Sequence, residues 1–96
     1  MFIIVCYDVS TQDANGARRL RRIAEACKDY GVRVQYSVFE CRLEAKNWVV
    51  LKDKLLSEYD PRTDSLRFYH VSSDDARRVE HHGVRRPLDP TAPLVV

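Results

Sequence analysis

Little in this sequence announces a chemistry. Cysteine is scarce: Cys6, Cys27 and Cys41 are the three present, and no two form a CxxC pair. An odd count at such spacings argues against a disulfide framework and reads as small buried thiols. No apolar run approaches the roughly 20 residues of a membrane span, and no signal peptide precedes the first apolar run. A cytoplasmic protein with no membrane association is therefore expected. There is no P-loop, no dinucleotide fingerprint and no G-x-S-x-G elbow. His81-His82 with Glu80 lacks the spacing of a zinc motif. Neither sign of charge dominates, since the net charge is only +2. No repeat, low-complexity stretch or linker divides the chain, so its 96 residues form one domain.

What is present begins at once. Phe2-Ile3-Ile4-Val5-Cys6-Tyr7 is an unbroken apolar run that ends on Asp8. It is short and rich in β-branched and aromatic residues, without polar alternation. A strand covered on one face alternates; one covered on both need not. The run reads as a central strand with helices on one side and a second cover on the other. Asp8 falls at its C-terminal end, where α/β layers often place functional groups.

A polar connection, Val9–Asn15, leads to a helix expected from Asp13 or Asn15 to Tyr30. Its buried stripe is Ala17, Leu20, Ile23, Ala24, Cys27 and Tyr30, and Gly31 suits the position just past its end. Val32–Tyr36 and Ser37–Leu43 alternate as two strands joined by a tight turn or bend near Tyr36–Ser37. Ala45–Tyr59 is the second helix, with Trp48, Leu51, Leu55 and Tyr59 inward, widened by Val49, Val50 or Leu56; Asp60-Pro61 stops it. Ser65–Val71 is the next strand, Leu66, Phe68 and His70 on one face and Arg67, Tyr69 and Val71 on the other. Ser72–Asp75 reads as a polar break. The tail, Ala76–Val96, has no helical periodicity but ends on Leu94-Val95-Val96. Part of it, Arg78–His82 or Leu94–Val96, is expected to add a strand, and a partner's sheet edge is one place for it.

The order is strand, helix, strand, strand, helix, strand, then an extra strand. This is the α+β, ferredoxin-like βαββαβ pattern, with a core over about residues 1–71 and an extension over about 72–96. Both helices cover the same face of such a sheet. The apolar second face of the opening strand needs a cover, and no third helix is expected. A second copy is the simplest one, which makes a symmetric homodimer.

Asp8 has no neighbouring acid, so one chain supplies few metal ligands. Mg²⁺ is typically held by one or two carboxylates plus waters, and a two-fold dimer brings two Asp8 side chains together. Such a pair suits water activation for phosphodiester cleavage. Capping of the loop after the strand is the plainer role for Asp8. Arg18, Arg19, Arg21 and Arg22 crowd the start of the first helix, where cations repel one another and oppose the helix dipole. A use beyond stability, phosphate contact, stands beside a merely solvated face. Of the sixteen basic residues twelve are Arg; phosphate recognition and high-GC coding bias both give that skew. Tyr36 and Phe39 have the chemistry to stack on bases, but core packing fits them better.

Tyr7-Asp8 closing the first strand, the Arg-rich helix start, and Asp29-Tyr30-Gly31-Val32-Arg33-Val34-Gln35-Tyr36-Ser37-Val38-Phe39-Glu40 together resemble the Cas-two (Cas2) family, small CRISPR-associated proteins of spacer acquisition. The central Gln-Tyr-Ser-Val-Phe-Glu is the most specific part. The likeness covers about Met1–Val71, and the tail is similar to members from type I-C systems. The resemblance implies a homodimer whose C-terminal strands complete the partner's sheet. It also implies a dimer that bridges CRISPR integrase dimers and carries prespacer DNA. Some members are described as metal-dependent ribonucleases or deoxyribonucleases, with Asp8 of both chains then holding the ion. Arg19, or Arg18 in its place, Arg22 and Arg33 match the family's basic positions, and Phe39 its aromatic one beside Tyr7. Three functions follow: a DNA-binding scaffold joined to the integrase, a stand-alone metal-dependent endonuclease, and a ferredoxin-like interaction domain without catalysis.

Overall fold

The structure, a computed structural model, describes residues 1–83. Its elements are β1 (Phe2–Asp8), α1 (Gly16–Lys28), β2 (Val32–Gln35), β3 (Val38–Arg42), α2 (Ala45–Glu58), β4 (Ser65–Val71) and α3 (Ser73–Ala76). The strands form one antiparallel sheet in the order β2-β3-β1-β4. This is the expected ferredoxin-like arrangement, with β1 between β3 and β4.

Register explains how β1 is apolar throughout. Val5 pairs with Phe39 and Phe68, while Ile4 pairs with Glu40 and Tyr69. Side chains alternate between faces along a strand. Ile3, Val5 and Tyr7 therefore join Phe39 and Cys41 against Ile23, Cys27, Trp48, Leu51 and Leu55 of the two helices. The opposite face carries Phe2, Ile4, Cys6 and Asp8 beside Val38, Glu40, Arg42, Arg67, Tyr69 and Val71. Ile4 and Cys6 stay half-buried there, so Cys6 is not the core thiol expected of it; Cys27 and Cys41 are.

Several boundaries move for identifiable reasons. α1 begins at Gly16, and its N-cap Asn15 makes no side-chain cap. Asp13 instead closes a turn just ahead of the helix, its side chain accepting the Asn15 N–H at 2.9 Å. Ala17, in the first turn, is exposed, while Ala26 is buried. Gly16 is dictated by close approach, because a Cβ there would strike the Ser10 carbonyl and lie 2.6 Å from Thr11 Cα. Gly31 does not serve as a left-handed helix terminator, since Gly83 is the glycine with positive φ among the described residues. A Cβ on Gly31 would sit 2.7 Å from the Glu40 carbonyl and against Cys41 Sγ, so it is the packing of β2 on β3 that needs glycine.

The turn between β2 and β3 falls at Tyr36–Ser37 as expected, with a register irregularity between Arg33 and Gln35. α2 buries Trp48, Leu51 and Leu55 but leaves Val49, Val50 and Leu56 exposed, so the stripe is not widened. β4 has the bounds expected. The Ser72–Asp75 break holds α3, whose N-cap Ser72 accepts the Asp75 N–H at 3.1 Å. Arg78–His82 is not a strand in this chain. α3 runs into a turn in which the Arg78 N–H donates to the Asp75 carbonyl at 3.0 Å, leaving the segment off the β4 edge. Leu94–Val96, the other strand expectation, lies outside the described residues.

Candidate functional site around Asp8

Asp8 ends β1 opposite Ser65, the first residue of β4. Its side chain is exposed on the face of the sheet away from the helices. There it lines a shallow depression of about 230 Å³ with Cys6, Tyr7, Ser65, Arg67 and Tyr69. Arg67 reaches along its own strand, its guanidinium donating to the Tyr69 hydroxyl at 3.1 Å. Among the described residues the site thus sets one carboxylate without a hydrogen-bond or ion-pair partner beside one cation held to the side. Among the described residues no group of three or more His, Cys, Asp or Glu side chains is arranged to hold a metal ion. Asp8 is a hard oxygen donor of the kind Mg²⁺ takes, but one chain offers it alone.

Tyr7 faces the other way. Its ring is buried 6.2 Å from that of Phe39, and its hydroxyl donates to the Tyr36 carbonyl at 3.4 Å. Its amide donates to the Ser37 carbonyl at 3.1 Å, which ties the end of β1 to the β2–β3 turn. Burial raises the Tyr7 phenol above its ordinary pKa, and the nearby Arg33 guanidinium offsets part of that rise. Arg33 lies over the Phe39 ring at 5.1 Å and the Tyr36 ring at 5.9 Å. Its Nε is buried with no hydrogen-bond partner among the described residues. Phe39 is fully buried, so both motif aromatics pack the core.

The four arginines of α1 separate by role. Arg18 is exposed. Arg21 lies 4.0 Å from Glu25, and Arg22 lies 3.6 Å from Glu58. Arg19 is occupied. Its Nε donates to Asp64 at 2.8 Å, and its two terminal nitrogens donate to Asp13 at 2.9 Å each. With its side chain 13% exposed, Arg19 is a bracket inside the fold rather than the phosphate contact expected. Nothing local distinguishes Asp64 from Asp60, and two of its partners, Arg19 and Ser10, are 45 and 54 positions away. His82 lies 3.4 Å from Glu80 in an exposed segment, away from Asp8's depression.

An antiparallel βαββαβ sheet with a lone acid at the end of its central strand defines a class, that of small ferredoxin-like proteins. Within it the profile described as "CRISPR associated protein Cas2" matches residues 1–79. The chain belongs to the Cas2 family. It is 51% identical over 96 residues to the "CRISPR-associated endoribonuclease Cas2" of Nitratidesulfovibrio vulgaris, covering all of this chain and 94% of that one. It is 41% identical to the "CRISPR-associated endonuclease Cas2" of Halalkalibacterium halodurans, covering 99% of each. The crystal structure of Streptococcus pyogenes Cas2 at pH 6.5 superposes with a TM-score of 0.75 at 46% identity, over 86% of this chain and all of that one.

Proposed function

We propose that this chain is a dimeric CRISPR adaptation protein that carries DNA into the integrase complex and holds a metal-dependent phosphodiesterase site at a pair of Asp8 side chains. The observation that carries this reading is the open sheet face, where the half-buried Ile4, Val38 and Val71 share the surface with an exposed Asp8. A second copy laid on that face covers the apolar residues and sets one acid near its symmetry mate. Two carboxylates with waters suffice for Mg²⁺, whose chemistry there is activation of water and stabilisation of charge on a phosphate. The chain's own part is to present the carboxylate and bind nucleic acid with its basic side chains. Arg18 and Arg22 serve the phosphates, with Arg33 of β2 as a further cation. The names endoribonuclease and endonuclease borne by relatives support cleavage. Whether RNA or DNA is cut is read by offering both.

The deciding variant is Asp8→Asn. Loss of Mg²⁺-dependent cleavage with DNA binding and dimerisation intact supports the site. Undiminished cleavage overturns it. A second reading, a scaffold without cleavage, is favoured by the make-up of the depression, which sets the single acid Asp8 beside the cation Arg67. It expects spacer acquisition to survive Asp8→Asn, and no metal-dependent cleavage by either protein.

A further inference from the structure

The carboxylate of Asp64 is fully buried and accepts five hydrogen bonds. Arg19 supplies two, from Nε at 2.8 Å and a terminal nitrogen at 3.2 Å. The Ser10 amide supplies one at 3.0 Å, the Asp60 amide one at 2.9 Å and the Thr63 hydroxyl one at 3.0 Å. The side chain has 0% exposure. These donors come from the loop after β1, from α1, and from the loop between α2 and β4. The same guanidinium also donates to the Ser10 carbonyl at 3.2 Å. The residue two places beyond Asp8 is therefore gripped on both its N–H and its C=O. Asp64 in turn directly precedes Ser65, the ladder partner of Asp8.

We propose that Arg19 and Asp64 form a positioning pair for Asp8. The acid is held from one side by its rung with Ser65 and from the other by Ser10, and both holds converge on Asp64, whose carboxylate accepts the Ser10 N–H and whose backbone leads directly into Ser65. Strand ends otherwise fray, and a carboxylate that must meet a shared ion needs a fixed place. A buried ion pair with every acceptor site filled supplies that fixity where an exposed one would not. A lysine in place of Arg19 keeps the charge but lacks the fork that reaches Asp13, Asp64 and Ser10 together. The proposal rests on the reading of Asp8 as the reactive carboxylate.

The test uses the full chain with Asp64→Asn and Arg19→Lys, folding being checked by circular dichroism. Cleavage of an oligonucleotide is resolved into kcat, KM and the half-saturating Mg²⁺ concentration. Broadening of the Asp8 amide signal by Mn²⁺ is measured in parallel. Positioning predicts that both variants lose about tenfold to a hundredfold in kcat or in metal affinity, the usual effect of removing the support behind a metal ligand. KM for the oligonucleotide stays the same, and Mn²⁺ broadening at Asp8 weakens. Where Asp64→Asn lowers the folded fraction, Arg19→Lys carries the same test. If Arg19 serves phosphate instead, Arg19→Lys retains kcat and Asp64→Asn is without effect; either result overturns the proposal. Wild-type protein that neither cleaves nor shows Mn²⁺ broadening at Asp8 removes the underlying reading, and the proposal falls with it. Wild-type activity matched by both variants removes the positioning role alone.

Discussion

Arg42 lays its guanidinium 4.4 Å from the ring centroid of Phe2, its cross-strand neighbour on the open face of the sheet. Phe2 is 5% exposed and lies outside the core packed between the sheet and the two long helices. An apolar ring roofed by a cation that is itself exposed suits a face that is solvated in one state and covered in another. The two central side chains beside it, Ile4 and Cys6, stay half-buried.

A dimer through this face is expected to be sensitive to Ile4, which lies between Glu40 and Tyr69. Ile4→Glu sets a second carboxylate beside Glu40. The dissociation constant should rise at least a hundredfold, about 2.8 kcal/mol, while the helix-covered core and the circular dichroism spectrum are kept. Sedimentation equilibrium at micromolar protein checks it. A variant that stays dimeric would place the interface elsewhere.

Phosphate contact by Arg18 and Arg22 has a thermodynamic signature. Replacing both with Ala should weaken binding to unrelated DNA sequences about equally. The slope of log affinity against log salt should shrink by about one for each arginine that had neutralised a phosphate. Titrations at several salt concentrations measure both. An unchanged slope would return these arginines to the status of a solvated face.

Acid stability should report on Asp64. Burial pushes its carboxyl up, but the donors from Arg19, Asp60, Ser10 and Thr63 outweigh that and hold it well below the usual carboxylate range. A carboxyl with a depressed folded-state pKa contributes stability that is complete above its unfolded value, about 3.9, and is lost as pH falls toward the folded one. Denaturant unfolding from pH 7 to pH 2 should therefore show the wild type losing stability below about pH 4. Asp64→Asn should be less stable at neutral pH, since it leaves Arg19 with Asp13 as its one remaining acidic partner among the described residues. Its acid decline should be shallower, and parallel curves would contradict the assignment.

The thiols should separate by face. Burial pushes Cys27 up to about 12, with Cys41 adding to the rise and Arg33 offsetting it. Burial pushes Cys41 up to about 11. Neither is appreciably thiolate at pH 8, and a thiol reagent should modify them only as fast as the protein unfolds. Cys6, on the open face, should react readily in the Ile4→Glu variant and slowly in the wild type if a second copy covers that face. Mass spectrometry of the labelled sites distinguishes the three.

The elements were legible wherever burial writes a period into the chain. Trp48, Leu51 and Leu55 mark α2, and the alternation of Leu66 and Phe68 with Arg67 and Tyr69 gives β4 its bounds. Asp8 was legible because an acid ending an apolar strand is a break in that code. What escaped is written in space rather than in spacing. Nothing local separates Arg19 from Arg18 or Arg22; the start of α1 at Gly16 decides which of them meets Asp64, and contact with Ser10 and Thr11 sets that start. The need for glycine at Gly31 is likewise imposed by β3. The Arg78–His82 strand was inferred from leftover apolar residues, a signal that does not report the turn after α3.

Tyr7 lies in the core and Asp8 outside it, on consecutive positions of one strand. A slip of β1 by one residue against β3 and β4 would exchange them, setting an unpaired carboxylate among Phe39, Leu51 and Ile23 at a cost of several kcal/mol. The packing of Tyr7 is thus a registration mark for the acid beside it. An insertion or deletion inside β1 that preserves both the core and the exposed carboxylate has to come in twos. The strand can drift in composition, but the address of Asp8 is locked to the parity of its pleat.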